Sequence, residues 1–196
     1  MKRTEPIRDK RQVCQLVNYY LNRGQNRNYL MAVLCLYTAL RIGDILQLTW
    51  DHVYDAKQRR MRSQITITEK KTGKDKIIAL NHRVIEALYL YFAAQAPGAA
   101  LIINERTQKA ISRVQAHRIF RAAAEALGFS FPVSCHSLRK TFGYHTWKSG
   151  ISPAVIMDIY NHSSLAVTRR YLGVTQDDKN AAYLNLAFTA SDADAV

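Results

Sequence analysis

Four places in this sequence carry side chains suited to phosphate chemistry. The first is His136-Ser-Leu-Arg139. Three residues along a helix turn through about 300°, so the imidazole and the guanidinium project from neighbouring points on one face. One is a proton carrier near neutral pH, the other a permanent planar cation shaped for phosphate oxygens. Alone, such a pair is a common surface feature. The second place is Asn161-His162-Ser163-Ser164-Leu165, followed by Thr168-Arg169-Arg170-Tyr171-Leu172. In one continuous helix, nine residues amount to about 900° and put His162 and Tyr171 on opposite faces. They can share a site if the chain turns between them, and the two serines offer that break. The plainer reading of Tyr171, one of eleven tyrosines, is a packed ring with a wet hydroxyl. The third place is Arg41, between an apolar helix and Gly43; a charge there needs a partner, either Asp44 or a phosphate. The fourth is Lys71 in a basic turn, where an exposed lysine is the plain reading.

The elements that must position these groups are mostly helical. Residues 9–23 and 27–40 show apolar side chains at helical spacing, with Gly24 and Asn26 between them. A short helix is expected at Asp44–Leu48, after a break at Gly43. The period then changes to two: Ile65 to Thr68 and Ile77 to Leu80 read as strands, joined by the turn Lys70-Lys71-Thr72-Gly73-Lys74-Asp75. Helices return at about 82–95, 112–127, 136–149, 153–160, 164–172 and 175–187. Gly128 and Gly150 are placed as helix stops, Ser152-Pro153 as an N-cap with proline at the first helical position, and Ser163 or Ser164 as the next cap. The fold class expected is mainly α with one small antiparallel β-sheet. The 196 residues read as one domain, residues 175–196 forming a terminal helix and an acidic tail.

Composition narrows the partner. The formal net charge is +13, hydrophobic residues make up 48% and aromatics 10%, which excludes a disordered scaffold. Residues 57–76 hold eight cations against Glu69 and Asp75, residues 106–121 hold five against none, and residues 173–196 are net acidic. The densest basic run flanks a strand pattern rather than an amphipathic helix, which favours nucleic acid over a membrane surface. The longest apolar stretch, Leu30 to Leu40, is too short to span a bilayer, and no secretory signal opens the chain. Three scattered cysteines fit a reducing cytoplasm. Cys14 and Cys35 lie in apolar helical stretches and are expected as buried thiols. With no zinc-ligand spacing, no metal or cofactor is expected.

Taken in order, these residues resemble the tyrosine recombinase (phage integrase) family over roughly residues 9–187. TALRIGDILQLTWDHV is similar to its first arginine box, ITITEKKTGKDKIIAL to its lysine-bearing β-hairpin, and HSLRKTFGYHTWKSG with NHSSLAVTRRYL to its second box and tyrosine nucleophile. Two departures stand out: Asn161 where glycine is common before the histidine, and Ala39 where glycine is common before the first arginine. Asparagine tolerates a left-handed backbone, so the turn can survive. The resemblance is to a catalytic domain without the N-terminal core-binding domain, as in the fimbrial inversion recombinases.

The resemblance implies metal-independent phosphodiester transesterification. It makes Tyr171 the nucleophile, Arg41 and Arg139 the phosphate clamp, His162 a further hydrogen-bond donor, His136 a proton carrier, Lys71 the acid for the 5′-oxygen and Asp44 a buttress for Arg41. Lys70, Lys74, Lys76, Arg113, Lys140 and Arg169 are assigned to DNA contact. Double-stranded DNA is the partner expected, with a homo-oligomer, a tetramer on paired sites, and an accessory DNA-bending protein. The terminal helix either docks on a neighbouring protomer or packs on its own core. Two other readings stand beside this one: a DNA-binding regulator on the same fold without turnover, and a type IB topoisomerase-like relaxing enzyme.

Overall fold

The computed structural model describes residues 4–71, 73–94 and 100–186. The chain runs through α1 (Lys10–Leu21), α2 (Asn26–Tyr37), α3 (Ile42–Ile45), α4 (Trp50–Val53), β1 (Tyr54–Asp55), β2 (Arg60–Met61), β3 (Gln64–Thr68), β4 (Asp75–Ala79) and α5 (His82–Ala94). It continues through β5 (Ile103–Asn104), β6 (Lys109–Ala110), α6 (Arg113–Ala126), α7 (Cys135–Lys148), α8 (Pro153–Tyr160), α9 (Leu165–Leu172) and α10 (Gln176–Leu184). This is the mainly helical class expected. In place of one sheet, three separate two-stranded antiparallel ribbons occur: β1 with β2, β3 with β4 and β5 with β6. The two extra ribbons have two residues per strand, too short to leave a period in the sequence.

The core forms around α2, whose residues Tyr29 to Leu36 are all buried. A helix apolar on every side must be enclosed, and α1, α5 and α7 pack around it. A second, smaller cluster holds Ala39, Ile156, Tyr160 and Leu172, with Phe142, Trp147 and Tyr171 against it. This satellite ties α8 and α9 to α7. It buries few large side chains, each stabilising by about 1.5–3 kcal/mol. α9 buries only Thr168 and Leu172, so the helix bearing Tyr171 is lightly anchored.

The helix boundaries follow the local chemistry. Ser112, Ser134, Ser152 and Ser164 each accept a backbone N–H at an N-cap, and Pro153 opens α8. Gly128 and Gly150 have positive φ after α6 and α7. The short helix expected at Asp44–Leu48 instead spans Ile42–Ile45 and contains Gly43. That glycine is a point of close approach: a Cβ there would meet the Arg113 guanidinium at 2.7 Å. Cys35 and Cys135 are buried free thiols, whereas Cys14, expected to be buried, lies on the outer face of α1. The turn residue Thr72, the end of the helix expected to reach 95, and the acidic tail beyond 186 lie outside the described residues. Among the described residues, no helix is long and apolar enough to cross a membrane.

Candidate active site

Ser134 caps α7, its hydroxyl accepting from Ser137 N and the Ser137 hydroxyl from Ser134 N. This fixes the first turn of the helix and so the direction of His136 and Arg139. The two residues do share one face. Arg139 is buried, and its Nη1 donates to the Ala39 carbonyl while Nη2 donates to the Tyr160 carbonyl at 3.4 Å. Its Nε has no acceptor among the described residues.

Ala39 supplies its carbonyl from a left-handed conformation, φ 55°. The turn made there brings Arg41 beside Arg139, so that Arg41 Nη2 donates to the same Tyr160 carbonyl at 3.4 Å. Lys76 Nζ donates to the neighbouring Ile159 carbonyl at 2.5 Å. Three cations thus gather at the open C-terminal carbonyls of α8, where the helix dipole is negative. The chain reverses at Asn161, φ 52° and ψ 45°, the left-handed cap that asparagine can adopt.

Glu69 joins this arrangement from the end of β3. Its carboxylate lies 3.0 Å from Arg41 Nη1, accepts from Asn161 Nδ2 at 2.9 Å and lies 3.9 Å from Lys76 Nζ. The partner of Arg41 is therefore Glu69 and not Asp44. Asp44 is buried and accepts the backbone N–H of Lys70 at 3.1 Å, pinning the hairpin to α3. Sequence reasoning counted Glu69 only as a charge in a basic run. Its position held the signal: it continues the inward alternation of Ile65 and Ile67, and an acid at an inward strand position must be paired.

Tyr171 enters from α9. Its hydroxyl lies 3.3 Å from His136 Nδ1, and its ring meets His162 edge-on at a centroid distance of 4.5 Å. The turn at Asn161 and the cap at Ser164 are what bring His162 and Tyr171 together. Burial, then the charges of Lys140, Arg139 and Arg41, lower the His136 pKa to about 4. Burial, then Arg139 and Arg41, lower that of His162 to about 4 as well. Both imidazoles are neutral at pH 7. His162 Nδ1 lies 3.0 Å from the Thr168 hydroxyl. The Thr168 hydroxyl also lies 3.4 Å from the Ser164 carbonyl; with its single proton turned to Nδ1 instead, the nearer acceptor, the Nε2–H is left for a ligand oxygen.

A cleft of about 690 Å³ opens over these groups, lined among others by Arg41, Lys70, Lys71, Arg113, His117, His136, Arg139 and Tyr171. Lys71 is exposed in the hairpin at its edge. Of the cations assigned to DNA contact, Lys70 and Arg113 line the cleft and Lys74 is exposed on the hairpin. Arg169 lies beside a different groove with Trp147, Leu165 and Leu172. Lys76 and Lys140 point inward, Lys140 Nζ donating to the Thr4 carbonyl at 2.6 Å and lying 5.6 Å from the Tyr171 ring centroid. His117, given no role from sequence, lines the cleft, whereas His52 caps α4 and His145 bonds the Ile7 backbone carbonyl. Burial raises the Cys135 thiol to about 12, which removes it as a nucleophile beside His136.

The arrangement offers a neutral base at a phenol, two guanidiniums and a lysine around one cleft, a set suited to displacement at phosphorus. Comparison with known proteins bears on the same point. The model of the phage integrase family matches residues 8–178. The chain is 36% identical over 179 residues to the probable integrase/recombinase YoeC of Bacillus subtilis, covering 91% of this chain and 94% of that protein. Other tyrosine recombinase relatives are longer, and the chain spans about half of them. In fold it is similar to the XerA recombinase, with a TM-score of 0.76 at 20% identity over 94% of this chain and 65% of that one. It is also similar to the XerH site-specific recombinase bound to a palindromic difH substrate, with a TM-score of 0.75 at 15% identity over 93% of this chain and 53% of that one. The chain belongs to the phage integrase family, and is thus a tyrosine recombinase, an enzyme of site-specific DNA recombination.

Proposed function

We propose that Tyr171 attacks a DNA backbone phosphate, forming a Tyr171 Oη–phosphorus bond as the bond to the 5′-oxygen breaks. The products are a 3′-phosphotyrosyl link and a free 5′-hydroxyl. The hydroxyl of a partner strand then reverses the step, and because the bond is conserved no external energy source enters. His136 takes the phenolic proton, and Lys71 gives one to the departing 5′-oxygen. Arg41, Arg139 and the His162 Nε2–H stabilise charge on the non-bridging oxygens. The observation that carries this reading is the convergence of Tyr171 from α9 on His136 of α7, beside His162 and two guanidiniums.

The reaction needs paired DNA sites and so an assembly, which we take to be a tetramer, joined by a DNA-bending protein at some sites. No residue of α10 is buried, and Tyr183, Leu184 and Leu186 are 79%, 83% and 66% exposed. This apolar face fits docking in trans on a neighbouring protomer. A cytoplasmic, nucleoid-bound location goes with the same reading, as does residues 1–196 acting as one catalytic domain.

The test uses nicked suicide duplexes drawn from DNA flanking the coding region, with wild type and Tyr171→Phe compared for an SDS-resistant adduct. An adduct with wild type alone is expected. An adduct with both moves the nucleophile elsewhere; tight binding without any adduct favours a regulator. Relaxation of supercoils without a paired site favours the topoisomerase-like reading.

A further inference from the structure

Glu69 has no solvent-exposed surface, yet it stands at the base of an exposed basic hairpin. Its backbone N–H donates to the Lys74 carbonyl at 2.9 Å, and its carbonyl accepts from Gly73 N at 2.8 Å, so the residue is built into the turn that carries Lys71. Its carboxylate meets cations or donors from three other places: Arg41 after α2, Lys76 on β4 and Asn161 after α8. Burying a carboxylate is costly unless it is paired, and here each pairing joins a different segment of the site. Arg41 is a long side chain still partly exposed, and its fork must be held in one direction to meet a phosphate.

We propose that Glu69 is the positioning residue of the site: through Arg41 and Asn161 it locks the first guanidinium, and the turn leading to His162, to the hairpin that carries Lys71. It touches no reacting atom and acts through the residues that do. The phosphate, when it arrives, finds the Arg41 fork already oriented, which removes part of the ordering cost from the reaction step. This inference rests on the transesterification reading above.

The test has two arms. In the first, single-turnover cleavage is measured on the duplex that gives the wild-type adduct, for Glu69→Gln and Glu69→Asp, each alone and combined with Arg41→Lys. Glu69→Gln keeps an acceptor for Asn161 and removes the charge. Its cleavage is expected to fall about 10–100-fold, out of proportion to any fall in melting temperature, while DNA affinity stays near wild type. In the Arg41→Lys background the same change is expected to cost less than about 3-fold, because the residue it acts through has gone. Glu69→Asp keeps the charge and is expected to recover part of the rate. A merely structural carboxylate would lower melting temperature, binding and cleavage together, by the same factor in both backgrounds, and that result overturns the proposal.

The second arm needs no DNA. The side-chain Nε–H resonance of Arg41, assigned by its loss in Arg41→Lys, is followed by ¹⁵N NMR in wild type, Glu69→Gln and Glu69→Asp. A sharp signal in wild type and Glu69→Asp that broadens in Glu69→Gln supports the proposal. An unchanged signal in Glu69→Gln overturns it, and so does a signal equally mobile in all three. If wild type forms no adduct on any duplex, the transesterification reading fails, and this arm still decides whether Glu69 holds Arg41.

Discussion

The Tyr171 hydroxyl lies 3.3 Å from Nδ1 of His136, a residue 35 positions earlier on a different helix. With its pKa lowered to about 4, His136 is a neutral acceptor through the physiological range. Adduct formation at subsaturating DNA should therefore stay flat from about pH 8 to about pH 6 and decline only on approach to the depressed values. An inflection near the ordinary imidazole value of about 6.5 would contradict the burial seen here.

The same two histidines predict the stability profile. For His136 and His162 the folded-state pKa lies below the unfolded one, so the unfolded chain binds protons first as pH falls. Their contribution is present above about 6.5 and is lost as pH drops toward about 4. Urea denaturation at a series of pH values should show this loss, reduced in His162→Gln. Equal acid sensitivity in that variant would assign the loss to other groups.

Arg139 is at once a clamp residue and a structural donor to the Ala39 and Tyr160 carbonyls. Arg139→Ala should lower cleavage by at least ~10²–10³. It should also lower stability, by about 1–3 kcal/mol for the buried Ala39 carbonyl left unpaired, whereas the Tyr160 carbonyl keeps Arg41 Nη2 as a donor. Denaturant melts read beside single-turnover cleavage would separate the two effects. Full stability in Arg139→Ala would show that the Ala39 carbonyl finds another donor.

The helix that carries Tyr171 ends on Gly173, whose carbonyl accepts from Arg8 Nη2 at 2.8 Å. A Cβ at Gly173 would approach that guanidinium to 3.1 Å and Pro6 to 3.4 Å. Residues 4–8 also reach α7 through Thr141, His145 and Lys140. Arg8→Ala should cost about 1.5–3 kcal/mol locally and raise amide exchange in residues 165–173 more than in α2. Uniform exchange in both regions would show that the N-terminal segment does not hold α9.

The apolar face of α10 makes a further prediction. Leu184→Glu should leave the unfolding free energy of the free protein unchanged within about 0.5 kcal/mol, since the residue is 83% exposed. Strand exchange on paired sites should fall while binding of one protomer to DNA persists. Unchanged exchange would remove the trans role.

Much of the local structure was legible in the sequence. Serines before apolar runs, Pro153 after Ser152, and glycines after α6 and α7 mark helix ends through hydrogen bonds that span a few residues. The His136–Arg139 spacing, and the need for a turn between His162 and Tyr171, follow from helix geometry alone. Asn161 was legible too, since its left-handed conformation is a property of the residue type. The pairing of Arg41 was not. Asp44 is near it in sequence, whereas Glu69 reaches it only because the base of the β3–β4 hairpin meets the end of α8 through Glu69 and Lys76. Lys76 and Lys140 read as surface cations, and their inward direction depends on which backbone carbonyls the packing leaves open. The exposure of Cys14 depends on which face of α1 meets α2.

The sequence by itself determined the chemical groups, the order of the helices and hairpin, and the points where the chain must turn. These depend on interactions between near neighbours, whose range is a few residues. The tertiary structure decided which charges are paired, which are buried and which histidines are held neutral. Those properties depend on distance in space and on access to water, and both are settled when segments far apart in the chain are packed into one site.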